Sequence, residues 1–345
     1  MSGADRLAAA APSRHTLRRM QTFEHRIAVV TGGGSGMGRE LVVQLATAGC
    51  HVATCDVWPD TLATTRELAL AGAPDGVRVT THLADVSDAS AVLGLRDAVA
   101  TEHATDHVHL LFNNAGIGGG GSFVLDDPDD WDRTFDICWG GVYRCTRTFL
   151  PMLLASPEGR VVNTSSVNGF WASLGPHTPH TAYSAGKFAV KGFTEALITD
   201  FRLNAPHLSA SVVMPGHIGT SIVLNSGRLL GRDPKELTDA QVAQLRERLE
   251  RRGMDLSGAS DDDIRLGVQA QAESFRDDAP MTAAEAATRI LDGVRAGEWR
   301  ILVGDDAVLL DEHVRADPWN AYEPEFTDRV HAAGALGFTP RPDAG

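Results

Sequence analysis

Long apolar runs, an excess of basic residues and abundant cysteine are all missing from this sequence of 345 residues. No apolar stretch reaches the roughly 18 residues that a membrane-spanning helix needs. Lys and Arg number 31 against 45 Asp and Glu, and the net charge of −14 argues against nucleic-acid and membrane partners. The four cysteines, Cys50, Cys55, Cys138 and Cys145, form no CxxC pair and accompany no histidine cluster of zinc spacing. We therefore expect a cytoplasmic protein with reduced thiols and no metal site.

What the sequence does contain is an alternation of short apolar strands and amphipathic helices. RIAVV is followed by a glycine-rich turn, the helical stretch RELVVQLATAG and the strand HVATCD, which together predict a strand–helix–strand unit. The alternation continues to the strand LSASVVMPG and resumes near the end with TAAEAATRILDGVRAG and WRILVG. Strands joined by helices predict an α/β fold, here a single Rossmann-type domain with a doubly wound parallel sheet.

Three segments depart from this pattern. Residues 1–20 carry four arginines and one acid, so we expect a disordered N-terminal tail, with an organelle-targeting peptide as the alternative. The domain is expected to span residues 21–310, followed by a C-terminal extension at 311–345. Within it, residues 221–280 hold two amphipathic helical stretches. Because an insertion after a strand's carboxyl end lies where open α/β sheets bind ligands, we expect a helical substrate lid rather than a peripheral subdomain or an oligomer contact.

The first candidate site is the turn TGGGSGMG, which predicts a dinucleotide-binding turn with cofactor contacts at Gly32, Ser35, Gly36, Met37 and Gly38. Its first glycine permits a tight turn, Gly36 lets the backbone approach a diphosphate, and Gly38 allows the helix to pack closely on the sheet. The N–H groups of the following helix would point at the phosphates. Asp56 ends the next strand, where its carboxylate can accept both ribose hydroxyls and would repel a 2′-phosphate. The pattern predicts NAD in preference to NADP.

The second candidate site combines Tyr183 and Lys187 in YSAGK with Ser166 in VVNTSSVNG. Residues four apart share one face of a helix, so the phenol and the ammonium lie close together. An ammonium ion stabilises a phenolate, and such a phenol exchanges a proton with an alcohol or carbonyl oxygen. A serine hydroxyl at the preceding strand end can hydrogen-bond the same oxygen. These three are the predicted catalytic residues.

The ordered set of motifs resembles the short-chain dehydrogenase/reductase family: TGGGSGMG, Asp85 in ADV, NNAG, Ser166, YSAGK and PGHIGT. The resemblance covers about residues 22–220 and the last helix and strand to about residue 304. It implies an NAD-dependent oxidoreductase that interconverts a secondary alcohol and a ketone, with Tyr183 as general acid/base and Ser166 positioning the substrate. Relatives of this type pair through two long helices, predicted here around residues 131–153 and 183–203, so we expect a homodimer or homotetramer.

The resemblance also implies individual cofactor contacts. Asp85 and Val86 would contact the adenine, Lys187 would also hold the nicotinamide ribose, and Ile218 and Thr220 would hold the carboxamide. The remaining cofactor positions that it implies are Asn114, Ala115, Gly116, Tyr183, Pro215 and Gly216.

Three departures from the family pattern stand out. Cys138 is added to the predicted catalytic residues because it occupies the position of an asparagine that, in the family, holds a water relaying protons to the lysine, largely through a backbone carbonyl. We expect a weakened relay and a packed thiol, with a nucleophilic Cys138 as the alternative. The gap of 17 residues from Ser166 to Tyr183 lengthens the loop beside the substrate. Gly118–Gly121 predicts an unusually loose loop at the cleft mouth.

The surroundings of the site indicate the kind of substrate. Trp171 is a candidate for the pocket wall, and His177, His180 and His217 are expected to be surface or pocket-wall residues. The insertion and the apolar segments FWASL and IVLNSGRLL favour a fairly large apolar substrate such as a sterol, terpenoid or aryl alcohol. Two alternatives stay open, a non-catalytic NAD-binding protein and an epimerase or dehydratase that retains its NAD.

Overall fold

The computed structural model describes residues 20–175, 178–251 and 254–335 and shows a parallel sheet with helices on both faces. The strands are β1 (Ile27–Thr31), β2 (His51–Asp56), β3 (Val79–Leu83), β4 (Leu110–Asn113), β5 (Gly159–Thr164), β6 (Leu208–Pro215), β7 (Ile218–Gly219), β8 (Met281–Thr282) and β9 (Arg300–Val303). In the main sheet the order is β3-β2-β1-β4-β5-β6-β9, while β7 and β8 pair separately. Every neighbouring pair is parallel, so the predicted doubly wound Rossmann-type fold is confirmed.

The helices follow the strands in the predicted alternation. They are α1 (Gly36–Thr47), α2 (Pro59–Gly72), α3 (Ala89–Glu102), α4 (Pro128–Phe135), α5 (Gly141–Ala155), α6 (Thr181–Asn204), α7 (Ile222–Leu229), α8 (Asp239–Arg251), α9 (Asp261–Asp277), α10 (Ala283–Ala296), α11 (Asp305–Ala316) and α12 (Pro324–Ala332). A π-helical turn, Asp136–Gly140, joins α4 to α5, so the long helix predicted near 131–153 is interrupted in its first half.

The residues of β1 show why a continuous apolar run suits this sheet. All five are buried, and successive side chains point to opposite faces. Ala28 and Val30 pack into the core under α1 and α10, whereas Ile27 and Val29 pack into the core under α3, α5 and α6. Both faces are covered by helices, which places the loops at the carboxyl ends of the strands at one edge of the sheet.

The sheet order reverses between β1 and β4, and the insertion at residues 221–280 lies beside this point. The two helical stretches predicted there are α8 and α9, which pack around Leu237, Val242 and Ile264. The shorter α7 precedes them and was not predicted. Arg248 of α8 forms an ion pair with the buried carboxylate of Asp126, at 2.6 Å, which ties the insertion to the loop before α4.

The C-terminal helices α11 and α12 cover the loop that follows β5. Trp171 of that loop is fully buried against Phe326 of α12, and its indole N–H donates to the carbonyl of Ala321 at 2.6 Å. Trp171 is therefore not a pocket-wall residue as predicted, because these helices bury its side chain. In the described part of the chain, no helix is long and apolar enough to cross a membrane.

Candidate active site

A cleft with an empty volume of about 860 Å³ lies at the carboxyl ends of β1, β2 and β4, at the switch point of the sheet. Eleven of the predicted cofactor residues line it: Gly32, Ser35, Gly36, Met37, Asp56, Asp85, Val86, Asn114, Ala115, Gly116 and Thr220. This is the place where open α/β sheets bind dinucleotides, between the loops that follow neighbouring strands.

The glycine-rich turn has the backbone geometry that the sequence predicts. Gly32 and Gly36 have φ angles of +69° and +53°, a conformation that other residues rarely adopt. A Cβ on Gly32 would lie 2.8 Å from the Cα of Ala115, and a Cβ on Gly38 would overlap the carbonyl oxygen of Gly32. The turn therefore brings the start of α1 close to the β4 loop, with its N–H groups directed at the cleft.

Asp56 is held rigidly at the end of β2. One carboxylate oxygen accepts the N–H of Gly34 at 2.9 Å, and the other accepts the N–H of Val57 at 2.7 Å. Burial raises the pKa of Asp56 above its usual value, and these amide hydrogen bonds oppose the rise. The neighbouring guanidinium of Arg39 is engaged by the carbonyl of Gly34 and the hydroxyl of Thr65.

Asn114, in the loop after β4, presents an unpartnered oxygen. Its backbone N–H and its side-chain amide both donate to Thr31, at 3.0 and 3.3 Å, which fixes the orientation of the side chain. The Oδ1 atom is buried and has no hydrogen-bond partner among the described residues. A buried acceptor of this kind requires a donor, and a ribose hydroxyl of a dinucleotide supplies one. The residues of the cleft therefore fit a dinucleotide cofactor.

Asp85 lies at the far side of the cleft within a small polar cluster. Its carboxylate accepts hydrogen bonds from the hydroxyl of Ser87 at 2.6 Å and from the guanidinium of Arg133 at 2.5 Å. Burial would raise the pKa of Asp85, but these hydrogen bonds outweigh it and hold the pKa below the usual value. Asp85 is thus ionised and fixed at the position where the adenine contact was predicted.

Tyr183 and Lys187 lie on one face of α6, next to the cleft, although neither is among the residues that line it. The ammonium of Lys187 is 5.3 Å from the centroid of the Tyr183 ring and donates to the carbonyl of Thr164 at 2.9 Å. A Cβ on Gly116, which lines the cleft, would lie 3.4 Å from the same ammonium. Lys187 is almost fully buried, so its charge acts on the phenol with little screening by water.

The serine loop packs against the same helix. The Ser165 hydroxyl donates to the carbonyl of Lys187 at 2.8 Å, which attaches the end of β5 to α6. The Ser166 hydroxyl, next along the chain, accepts the N–H of Asn168 at 3.1 Å and is nearly buried. The catalytic role predicted for Ser166 stays a prediction, and the structure places its loop beside Lys187.

Cys138 lies in the π-helical turn and faces the β4 loop. The thiol is fully buried, and its Sγ is 3.2 Å from the carbonyl oxygen of Ile117. A Cβ on Gly186 would lie 3.2 Å from the Cβ of Cys138, so the turn and α6 are in close contact. The π turn lies beside the lysine that the predicted relay serves, and such turns are frequent at functional sites.

The glycine loop at residues 118–121 is docked rather than loose. The carbonyls of Gly120 and Gly121 accept the N–H groups of Ala182 and Thr181, both at 3.0 Å. These are the first N–H groups of α6, which have no partner within the helix. The loop therefore caps the catalytic helix, a tertiary contact that the glycine run does not reveal.

Several predicted residues lie outside the cleft lining. Pro215 ends β6, the Ile218 side chain belongs to the core, and a Cβ on Gly216 would overlap the carboxylate of Asp306. The predicted wall residue His217 is buried, and its Nε2 is 2.7 Å from the carbonyl oxygen of Phe275. His177 lies outside the described residues.

The contribution of α7 to the cleft could not be predicted from any motif in the sequence. Asn225 lines the cleft and donates to the Ser35 hydroxyl at 3.1 Å, and Ser226 accepts the N–H of Gly118 at 2.8 Å. The guanidinium of Arg228 lies 3.9 Å from the ring centroid of Trp58, another lining residue. This helix therefore contacts the loops that follow three different strands.

Residues 26–228 match the family described as short chain dehydrogenase, so the chain belongs to the short-chain dehydrogenase/reductase family, as predicted. It is an oxidoreductase of that family.

Individual relatives extend the similarity over most of the chain. The SadH protein of Mycobacterium tuberculosis is 33% identical over 321 residues, 93% of this chain and 99% of that protein. Levodione reductase of Leifsonia aquatica is 33% identical over 214 residues, 62% of this chain and 76% of the relative. The crystal structure of a short-chain dehydrogenase/reductase from Burkholderia phymatum in complex with NAD is 27% identical with a TM-score of 0.70. That alignment covers 88% of this chain and 98% of the other.

Proposed function

We propose that this protein is an NAD-dependent oxidoreductase that interconverts a secondary alcohol and a ketone. The observation that carries the proposal is the buried ammonium of Lys187, which lies beside the ring of Tyr183 and next to Gly116 in the wall of a cleft that fits a dinucleotide. NAD bound in this cleft would accept or return a hydride at its nicotinamide ring.

Tyr183 is proposed to move the proton of the reaction. Its phenol takes the proton from the substrate hydroxyl during oxidation and returns it during reduction. Lys187 stabilises the phenolate, and its bond to the Thr164 carbonyl fixes the ammonium in position. Ser166 is proposed to hydrogen-bond the reacting oxygen and hold it against the phenol.

The preference for NAD over NADP is supported by Asp56. Both carboxylate oxygens are fixed by backbone N–H groups at the end of β2, where the adenosine ribose is expected. A 2′-phosphate at this position would meet a negative charge at close range. The structure with 27% identity was solved with NAD, which agrees with this preference.

The substrate is proposed to have a fairly large apolar body. Leu229 lines the cleft, and Leu230 packs beside it. The rings of Trp131 and Phe135, both in α4, are stacked with their centroids 5.3 Å apart. We propose that the insertion closes over this body as a lid.

Exposed apolar side chains on α5 and α6 support a homo-oligomer. Tyr143 and Leu154 on α5, with Phe188 and Leu203 on α6, are between 41% and 76% exposed. Such residues on two adjacent long helices favour pairing with a second copy. Sedimentation of the protein tests this, and a monomer at micromolar concentration would contradict it.

The proposed reaction is tested by following NADH formation over a panel of secondary alcohols. We expect NAD-dependent turnover in the wild type and its loss in Tyr183→Phe. The matched control is Tyr143→Phe, because Tyr143 lies half-exposed on α5, and it should retain full activity. Equal activity in the two variants would refute the mechanism.

A further inference from the structure

His180 lies directly before α6 and stacks on the ring of Tyr183. The two ring centroids are 4.6 Å apart and the ring planes differ by 12°. This residue also ends the lengthened loop that begins at Ser166, the loop that the sequence places beside the substrate. Its ring does not cap the helix, although it occupies the N-cap position.

The position of His180 is set by its surroundings. Its carbonyl accepts the N–H of Ser184 at 3.0 Å, and the next two residues are bonded to Gly120 and Gly121. The side chain of Thr181 accepts the indole N–H of Trp131 at 3.1 Å. The backbone at and directly after His180 is thus fixed, which holds the imidazole against Tyr183.

The imidazole carries an unused hydrogen-bonding atom. Nδ1 is buried and has no hydrogen-bond partner in the part of the chain that the structure describes. An unpaired buried polar atom costs roughly 1–3 kcal/mol, so its presence beside a catalytic group indicates a ligand partner. Burial lowers the pKa of His180 to about 4, which keeps the ring neutral near pH 7. Depending on its tautomer, the Nδ1 of a neutral imidazole either donates to a hydroxyl or carbonyl oxygen or accepts from a hydroxyl.

We propose, resting on the proposed function, that His180 determines specificity by hydrogen-bonding a second oxygen of the substrate, next to the reacting carbon. The preferred substrates are then apolar molecules that carry a vicinal diol or a hydroxyketone. Because the two rings are stacked with their centroids 4.6 Å apart, the imidazole is within reach of a substrate whose reacting oxygen contacts the phenol.

The test compares two alcohols. Hydrobenzoin is a vicinal diol with a phenyl group on each carbinol carbon, and 1,2-diphenylethanol is the same molecule without one of the two hydroxyls. We expect wild-type kcat/KM to be at least about tenfold higher for the diol, as a single buried hydrogen bond provides. His180→Phe keeps the stacked ring and removes both nitrogens, so the ratio of kcat/KM for the diol to that for 1,2-diphenylethanol should fall to about one. His180→Gln, which keeps a hydrogen-bonding group, should restore part of the preference. Equal losses on both alcohols would overturn the proposal and leave His180 as a support for Tyr183.

A binding measurement separates this proposal from the proposed function. The dissociation constants of both alcohols are measured for the NAD-saturated Tyr183→Phe protein, with and without His180→Phe. Tighter binding of the diol that disappears in the double variant supports the role of His180, even if no alcohol is oxidised. An unchanged ratio of the two constants overturns it. Absence of NADH formation with every alcohol would instead refute the proposed function.

Discussion

At the scale of single residues, the proposed proton transfer and cofactor binding depend on side chains that are buried or held by hydrogen bonds within the protein. Lys187 is buried beside Tyr183, and Asp56 is fixed by two backbone N–H groups. Asn114 lines the cleft with an oxygen that has no hydrogen-bond partner within residues 20–175, 178–251 and 254–335. The glycine turn, Asp56 and the tyrosine–lysine pair could be predicted because each depends on local spacing. The stacking of His180 on Tyr183 and the bond from Asn225 to Ser35 join distant segments, so the sequence could not reveal them.

Replacing Asp56 by asparagine should weaken the preference for NAD over NADP. The amide keeps an acceptor for ribose hydroxyls but removes the charge that repels a 2′-phosphate. We expect the ratio of kcat/KM for NAD to that for NADP to fall about tenfold, equivalent to about 1.4 kcal/mol. Asp60→Asn, at an exposed position in the first turn of α2, is the control. An unchanged ratio would show that Asp56 does not select the cofactor.

Replacing Cys138 by alanine should affect stability more than turnover. The thiol packs in a closed space, and its loss should cost about 1 kcal/mol of unfolding free energy. Because the predicted relay depends largely on a backbone carbonyl, kcat should stay within about threefold, well under 1.4 kcal/mol of barrier. The Tm and kcat of the variant test this together. Complete loss of turnover in a folded variant would support a nucleophilic thiol instead.

At the scale of elements, the strands and the long helices followed from apolar periodicity, whereas the irregular parts did not. The π-helical turn depends on the packing of α6 against Cys138, and periodicity alone gives no sign of it. The loop predicted to be loose caps α6, and Trp171, predicted to line the pocket, is buried by the C-terminal helices. In each case a contact from a distant part of the chain decided the outcome.

The contact of α7 with the glycine turn should strengthen cofactor binding. Asn225→Ala removes the hydrogen bond to the Ser35 hydroxyl, worth about 1 kcal/mol. We expect the dissociation constant of NADH, measured by fluorescence titration, to rise about fivefold. Val223→Ala, at an exposed position of the same helix, should leave the constant unchanged. Equal values for the two variants would mean that α7 does not act on the cofactor.

At the scale of the whole molecule, buried histidines at the opposite side of the fold set its response to acid. Burial lowers the pKa of His103 and of His109 to about 4, from an ordinary value of 6.5. Between pH 6.5 and 4 these two histidines therefore bind more protons in the unfolded protein than in the folded protein. The free energy of unfolding falls as the pH falls through this window.

Each of these two histidines contributes at most about 1.4 kcal/mol per pH unit, and neither contributes above pH 6.5 or further below pH 4. Urea unfolding at several pH values measures the slope of the unfolding free energy against pH. His103→Gln should flatten it, since glutamine does not titrate. A stability that is constant from pH 6.5 to 4 would contradict this account.

The most direct test of the central claim follows a deuterium atom from the carbinol carbon of a secondary alcohol. Mass spectrometry of the cofactor after reaction should show the deuterium in NADH for the wild type. Tyr183→Phe should still bind NAD and, when saturated with it, transfer the label at least about a hundredfold more slowly. Equal transfer in the variant, or no labelled NADH with any alcohol of the panel, would contradict the proposal.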